Sequence, residues 1–182
     1  MQRWAMIFTS ESGLLDPSRI DAWDTWYLAH LAAMLTVPGI TSAQRFRALD
    51  KGPPPSLAMY TIASPAVFES EVYRRTRGMG PFAAMVDERV HRRNLFEGLE
   101  TAPEVPQDAT LLIADRDLPE AAAEGLVWLR AIALDRSVPY RGVAVASSRS
   151  AAREQTARLS GAVALYAPMT ERLASQAGTV RF

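Results

Sequence analysis

Two periods of apolar residues alternate along this chain, and they predict its elements. Trp4–Ser10 reads as a strand that is apolar on both faces, with Trp4, Met6 and Phe8 on one side and Ala5, Ile7 and Thr9 on the other. Residues 17–37 switch to the 3.6-residue period of a helix, with Asp16 as N-cap, Pro17 at the first helical position and Pro38-Gly39 as the stop. Ile40–Ala48 and Leu57–Ala63 are strands on either side of the proline loop at 51–56. In the second of them Leu57 and Met59 face one way, and Ala58, Tyr60 and Ile62 the other. Ser64-Pro65 opens a helix to about Arg77, and Arg93–Leu99 closes the series. The order is βαββαβ, the ferredoxin-like split pattern.

Residues 101–108, with two prolines and no apolar run, read as a linker, and the remainder reads as a degenerate copy of the first part. Val37-Pro38 before a strand recurs as Val138-Pro139 before Tyr140–Ser147. Leu57-Ala58-Met59-Tyr60 recurs as Val163-Ala164-Leu165-Tyr166, followed by Pro168 and a helix. Thr110–Asp115 takes the place of the first strand, Ala121–Asp135 that of the first helix, and Gly178–Phe182 is a short final strand. A ferredoxin-like unit covers only one sheet face with helices, so strands apolar on both faces need a second sheet. The expected product is an α+β fold of tandem ferredoxin-like units, 1–100 and 109–182, forming an α+β barrel within one chain. Its cavity lies between sheet and helix layers. Closure within the chain removes the need to dimerise through the sheet face and leaves other homo-oligomer contacts open.

Composition narrows the chemistry. The 182 residues carry 20 basic and 20 acidic side chains, balanced in each half, so a nucleic-acid-tracking surface or a polybasic membrane anchor is not expected. Nothing approaches a membrane-spanning apolar run and no targeting segment stands out, so a cytoplasmic protein is the default expectation. The absence of cysteine rules out disulfides and thiolate chemistry. No nucleotide-binding glycine loop or nucleophile elbow is present.

The first helix carries the strongest candidate. On its wheel His30 sits mid-arc among Trp23, Trp26, Tyr27, Leu31 and Met34. An imidazole among aromatics is held neutral and fit to accept a proton; the alternative is a core histidine bonded to a backbone carbonyl. A solvent-connected cavity with an acceptor on the far nitrogen distinguishes the two. His91, in the charged run 87–93, reads as solvated. Two histidines on different faces and no ligand-spaced carboxylates argue against a metal site, and nothing specific supports haem. Arg45 and Arg47 share a strand face, as internal ion pairs or as a clamp for a substrate anion. The glycine-rich run 77–81 is a cavity-mouth loop or a helix stop.

Trp26-Tyr27-x-x-His30-Leu31, Val37-Pro38-Gly39-Ile40, Gln44-Arg45-Phe46 and Leu57-Ala58-Met59-Tyr60 together resemble the EthD-like branch of the dimeric α+β barrel superfamily. Gln44 before the arginine and Thr61 after the tyrosine depart from that pattern. The resemblance implies the paired-sheet barrel, a cleft-facing His30, and small, often cofactor-independent enzymes acting on aromatic or polyketide-derived compounds. On this basis the expected function is proton transfer by His30 on a carbonyl-containing aromatic, lactone or polyketide-like metabolite, of isomerase, cyclase or lyase type and without a cofactor. Trp26, Tyr27 and Tyr60 shape the pocket and Arg45 contacts an anion. The alternative is a non-catalytic binding or accessory protein on the same barrel.

Overall fold

Strand β3 (Ser56–Ile62) is buried at every position in the computed structural model, which describes residues 5–120 and 125–176. Its Leu57 and Met59 join Ile7, Phe46, Phe96 and Leu111 in one apolar cluster, and its Ala58, Tyr60 and Ile62 join Phe8, Tyr27, Leu31 and Met34 in another. The first cluster is the inside of a barrel; the second lies under a helix on its outside.

Around β3 stand β1 (Met6–Ser12), β2 (Ile40–Ala48) and β4 (Arg92–Glu97), in the order β4-β1-β3-β2. The chain then adds β5 (Thr110–Arg116), β6 (Val127–Leu134), β7 (Tyr140–Ala146) and β8 (Ala164–Pro168), in the order β8-β5-β7-β6. Pairing of β4 with β6 and of β2 with β8 closes the two groups into an eight-stranded antiparallel barrel, and β9 (Leu173–Ala174) extends β2. Eight strands leave an interior just wide enough for side chains. Here Ile7, Phe46, Phe96, Leu111, Leu129 and Tyr166 fill it.

Helix α1 (Ile20–Met34) follows a 3-10 turn, Pro17–Arg19, where the Asp16 carboxylate accepts the Ser18 N–H at 2.9 Å. The expected helix from 65 to 77 breaks in two. Pro65–Glu69 is 3-10, and Ser70 then caps α2 (Glu71–Thr76) by accepting the Tyr73 N–H at 3.2 Å.

The second part differs from its expected elements. Ala121–Asp135 does not form a helix through its second half, because 127–134 is β6. Leu129 and Ala131 drop into the barrel while Arg130 stays outside, and the edge of β4 gains a partner. A short apolar run is ambiguous between helix and strand, and here the open sheet edge decides it. Helix α3 (Arg149–Thr156) was not anticipated; its N-cap Ser148 accepts the Ala151 N–H at 3.1 Å. It lies between β7 and β8, as the second helical segment lies between β3 and β4. By position in its group of four strands β7 stands where β3 does and β8 where β4 does, whereas the sequence matches pair β7 with β2 and β8 with β3. Past Pro168 the chain holds β9 where a helix was expected. Gly178–Phe182 and Trp4 lie outside the described residues.

Residues 101–108 pack against the barrel. Ala102 and Val105 belong to its interior cluster, Thr61 Oγ1 accepts the Ala102 N–H at 2.9 Å, and Gln44 brackets Val105 at 2.7 and 3.1 Å. The barrel also holds charge. Arg141, fully buried on β7, donates to Glu11 at 2.9 Å and to both Asp115 oxygens at 2.7 and 2.8 Å. Burial pulls its guanidinium down, but Glu11 and Asp115 outweigh burial and hold it above its ordinary value. Removing one member of such a set leaves an uncompensated buried charge. Arg141→Met should lower stability in urea unfolding by about 3–5 kcal/mol, and adding Glu11→Gln should restore part of the loss.

Candidate functional site

With the barrel filled, the reactive side chains gather on the outer face of the first four strands, beneath α1. A cleft of about 490 Å³ opens there. Phe8 and Ser10 of β1 and Tyr60 of β3 form its floor, and Tyr27, His30 and Met34 of α1 form one wall. Spacing by three and four residues puts the α1 residues on one helix face, and the period of two puts Phe8, Ser10 and Tyr60 on one sheet face.

His30 is half-buried on this wall. Its ring stacks on Trp26 with centroids 4.7 Å apart and planes 13° apart, and meets Tyr27 edge-on at 5.7 Å. Burial pushes its pKa down to about 4, so the ring is neutral at pH 7. Among the described residues it has no hydrogen-bond partner, and neither ring nitrogen is sealed from the cleft. Of the two features that distinguish a reactive from a core histidine, the open cavity is present and the orienting acceptor is not. Trp26 is fixed from behind by Gly80 (φ +49), where an added Cβ would lie 3.0 Å from the indole. The glycine-rich run thus serves the mouth of the cleft, with Arg77, Gly78 and Met79 lining it.

Tyr60 stacks on Phe8 at 5.2 Å and 20°. Burial raises the phenols of Tyr27 and Tyr60 above their ordinary value, Tyr60 well above, so both stay protonated and can donate to a carbonyl oxygen. Arg45 is elsewhere. It is 2% exposed and donates to Ser56 at 3.0 Å. Its guanidinium pairs with Asp24 at 2.8 Å and lies over the Trp23 and Tyr27 rings at 4.6 and 4.1 Å. Arg47 binds the other oxygen of Asp24. Both arginines are engaged by Asp24, Arg45 buried and Arg47 exposed, and Arg45 does not line the cleft.

His91 was read as solvated, yet it lines the cleft, and its Nδ1 is buried without a partner. The signal was in the period of β4. Leu95 faces the helices, so Arg93 and His91, two and four residues earlier, follow on the same face. Tyr73 of α2 completes this side. Among the described residues no group of three or more His, Cys, Asp or Glu side chains could hold a metal ion.

A single closed barrel of two four-stranded groups, with the cleft between sheet and helix, now allows comparison with solved structures. An anthrone oxidase-like protein superposes with a TM-score of 0.62 at 10% identity, covering 96% of this chain and 94% of the other. A candidate monooxygenase from Lactobacillus acidophilus gives 0.57 at 6% identity over 94% and 96% of the two chains. The fold is an α+β barrel of the type these proteins share. A candidate chlorite dismutase shares this barrel at a TM-score of 0.58 and 9% identity, over 91% of this chain and 95% of that one. No protein-family model and no curated protein matches the sequence of this α+β barrel.

The depressed pKa of His30 ties stability to pH. The unfolded state binds its proton near 6.5 and the folded state only near 4, so protonation favours unfolding as pH falls through that window. Wild type should lose up to about 3 kcal/mol between pH 7 and 4 from this group alone. Urea unfolding of His30→Gln over the same range should show a shallower fall. An identical slope in both proteins would mean that His30 is not desolvated.

Proposed function

We propose that this chain is a small-molecule enzyme, that its substrate is a planar aromatic compound bearing a carbonyl, and that His30 accepts the proton the reaction releases. The observation that carries the reading is a neutral imidazole stacked on an indole at the wall of a cleft floored by Phe8 and Tyr60. In the proposed step a C–H bond next to the carbonyl breaks and its proton passes to a ring nitrogen of His30. The electron pair moves onto the carbonyl oxygen, which accepts a hydrogen bond from the Tyr27 or Tyr60 hydroxyl. A base with a pKa near 4 is weak, so the carbon acid must give a delocalised anion, as a methylene flanked by aryl and carbonyl groups does. Isomerisation, cyclisation and lyase chemistry all start from that anion, as does its oxidation by dioxygen. The name of the anthrone oxidase-like neighbour favours an electron-rich aromatic substrate.

The EthD-like resemblance rests on Trp26-Tyr27-x-x-His30-Leu31, Val37-Pro38-Gly39-Ile40, Gln44-Arg45-Phe46 and Leu57-Ala58-Met59-Tyr60. The equal strand order of the two four-stranded groups supports tandem ferredoxin-like units at 1–100 and 109–182. A second reading, a binding or accessory protein on the same barrel, is favoured by one observation: no protein group orients the imidazole.

A thermal-shift screen of anthrones, naphthols, aromatic ketones and lactones, followed by product analysis of each hit in air and under argon, separates the two readings. A ligand at about 100 times its Kd should stabilise wild type and His30→Gln alike by about 2.7 kcal/mol. Conversion should fall about 100-fold or more in His30→Gln. Stabilisation without conversion supports the binding protein, and conversion at the wild-type rate in His30→Gln removes the histidine from the chemistry.

A further inference from the structure

The cleft floor changes character along its length. On β1, Phe8 lies opposite Leu95 of β4 and Ser10 opposite Arg93. Along β1, Phe8 to Ser10 spans about 7 Å, from an apolar end beside Tyr60 to a polar end at Arg93, with His91 two residues before it. At the polar end His91 Nδ1 is buried with no hydrogen-bond partner. Buried polar groups are normally satisfied, so such an atom at a cleft marks where a ligand atom would sit.

One cation of the cleft likewise lacks a carboxylate partner. Arg45, Arg116 and Arg141 are each engaged by a carboxylate. Arg93 is half-buried and, among the described residues, forms no ion pair. Two carboxylates also line the cleft, and neither forms an ion pair with Arg93. Asp135 is held by the backbone of Arg93, accepting its N–H at 2.6 Å, and Glu88 is exposed at the rim. Arg93 and Arg77 lie close enough to Tyr73 to oppose the rise that burial imposes on its phenol.

Resting on the cleft reading above, we propose that the substrate is an aromatic carboxylate, its ring over Phe8 and Tyr60 and its carboxylate bound by Arg93 with His91 and Tyr73 beside it. Arg93 supplies the charge and the forked donors, and His91 Nδ1 gains the partner it lacks. The anion site inferred at Arg45 from the sequence thus moves to the far side of the same sheet face, onto β4.

The test uses 2-naphthoate and its neutral counterpart 2-naphthamide, titrated calorimetrically into wild type, Arg93→Gln and Arg93→Lys. With two histidines in the chain, the imidazole proton resonances report whether each probe reaches His30 and His91. Naphthoate should bind wild type about tenfold or more tighter than naphthamide. That gap should close in Arg93→Gln, with naphthamide affinity unchanged, and be partly retained in Arg93→Lys. Equal affinities in wild type, with naphthamide shifting the His30 resonance, would overturn the anion site and leave the cleft reading intact. A gap that survives in both variants would overturn the role of Arg93. Binding of neither probe would overturn both the anion site and the aromatic cleft. The wild-type comparison decides the matter even if a variant fails to fold.

Discussion

An eight-stranded barrel has no room inside for anything but its own side chains, and this constraint sets everything else in the molecule. Ile7, Phe46, Phe96, Leu111 and Leu129 occupy the interior, and the cleft beneath α1 lies on the outer surface. There the strands that give one face to the barrel must have their other face covered, and α1 does so with Trp23, Tyr27, Leu31 and Met34. The helix does not seal the sheet completely. Where its cover ends, between Tyr27 and Met34 on one side and Tyr73 on the other, the cleft begins.

The elements legible in the sequence are those whose pattern had one solution. Leu57 and Met59 against Ala58, Tyr60 and Ile62 announced a strand covered on both sides, and the barrel buries them that way. Asp16-Pro17 announced a helix start, and Tyr27, His30 and Met34 announced the face that lines the cleft. The second part was harder to read because its runs are short and its order is decided at a distance. Val127–Leu134 is apolar enough for either period, and only the open edge of β4, more than 30 residues earlier, makes it a strand. Arg45 shows a different limit. Sequence placed it on the correct strand face but could not show that Asp24, one helix away, would reach it. His91 was obscured by its charged neighbours, although the alternation through Leu95 and Arg93 placed it on the cleft side.

Arginine does two kinds of work here. Arg141 and Arg45 are anchored, one inside the barrel by Glu11 and Asp115, the other beneath α1 by Asp24 and two aromatic faces. Their charge is spent on holding strands and helix in register. Arg93, half-buried on β4, forms no ion pair among the described residues and lies two residues from a histidine whose Nδ1 is buried without a partner.

Closure of the barrel by β4–β6 and β2–β8 pairing within one chain has a further consequence. A barrel made of two identical chains repeats every substitution on both flanks, so neither flank can change alone. Here the flanks are encoded separately and have diverged. One carries α1 with its aromatic wall. The other packs α3 through Ala152 onto Leu112, Ala144, Ala146 and Leu165, a small and tightly filled patch. A substitution beneath α1 is therefore not repeated beneath α3, and the two flanks can differ in what they cover.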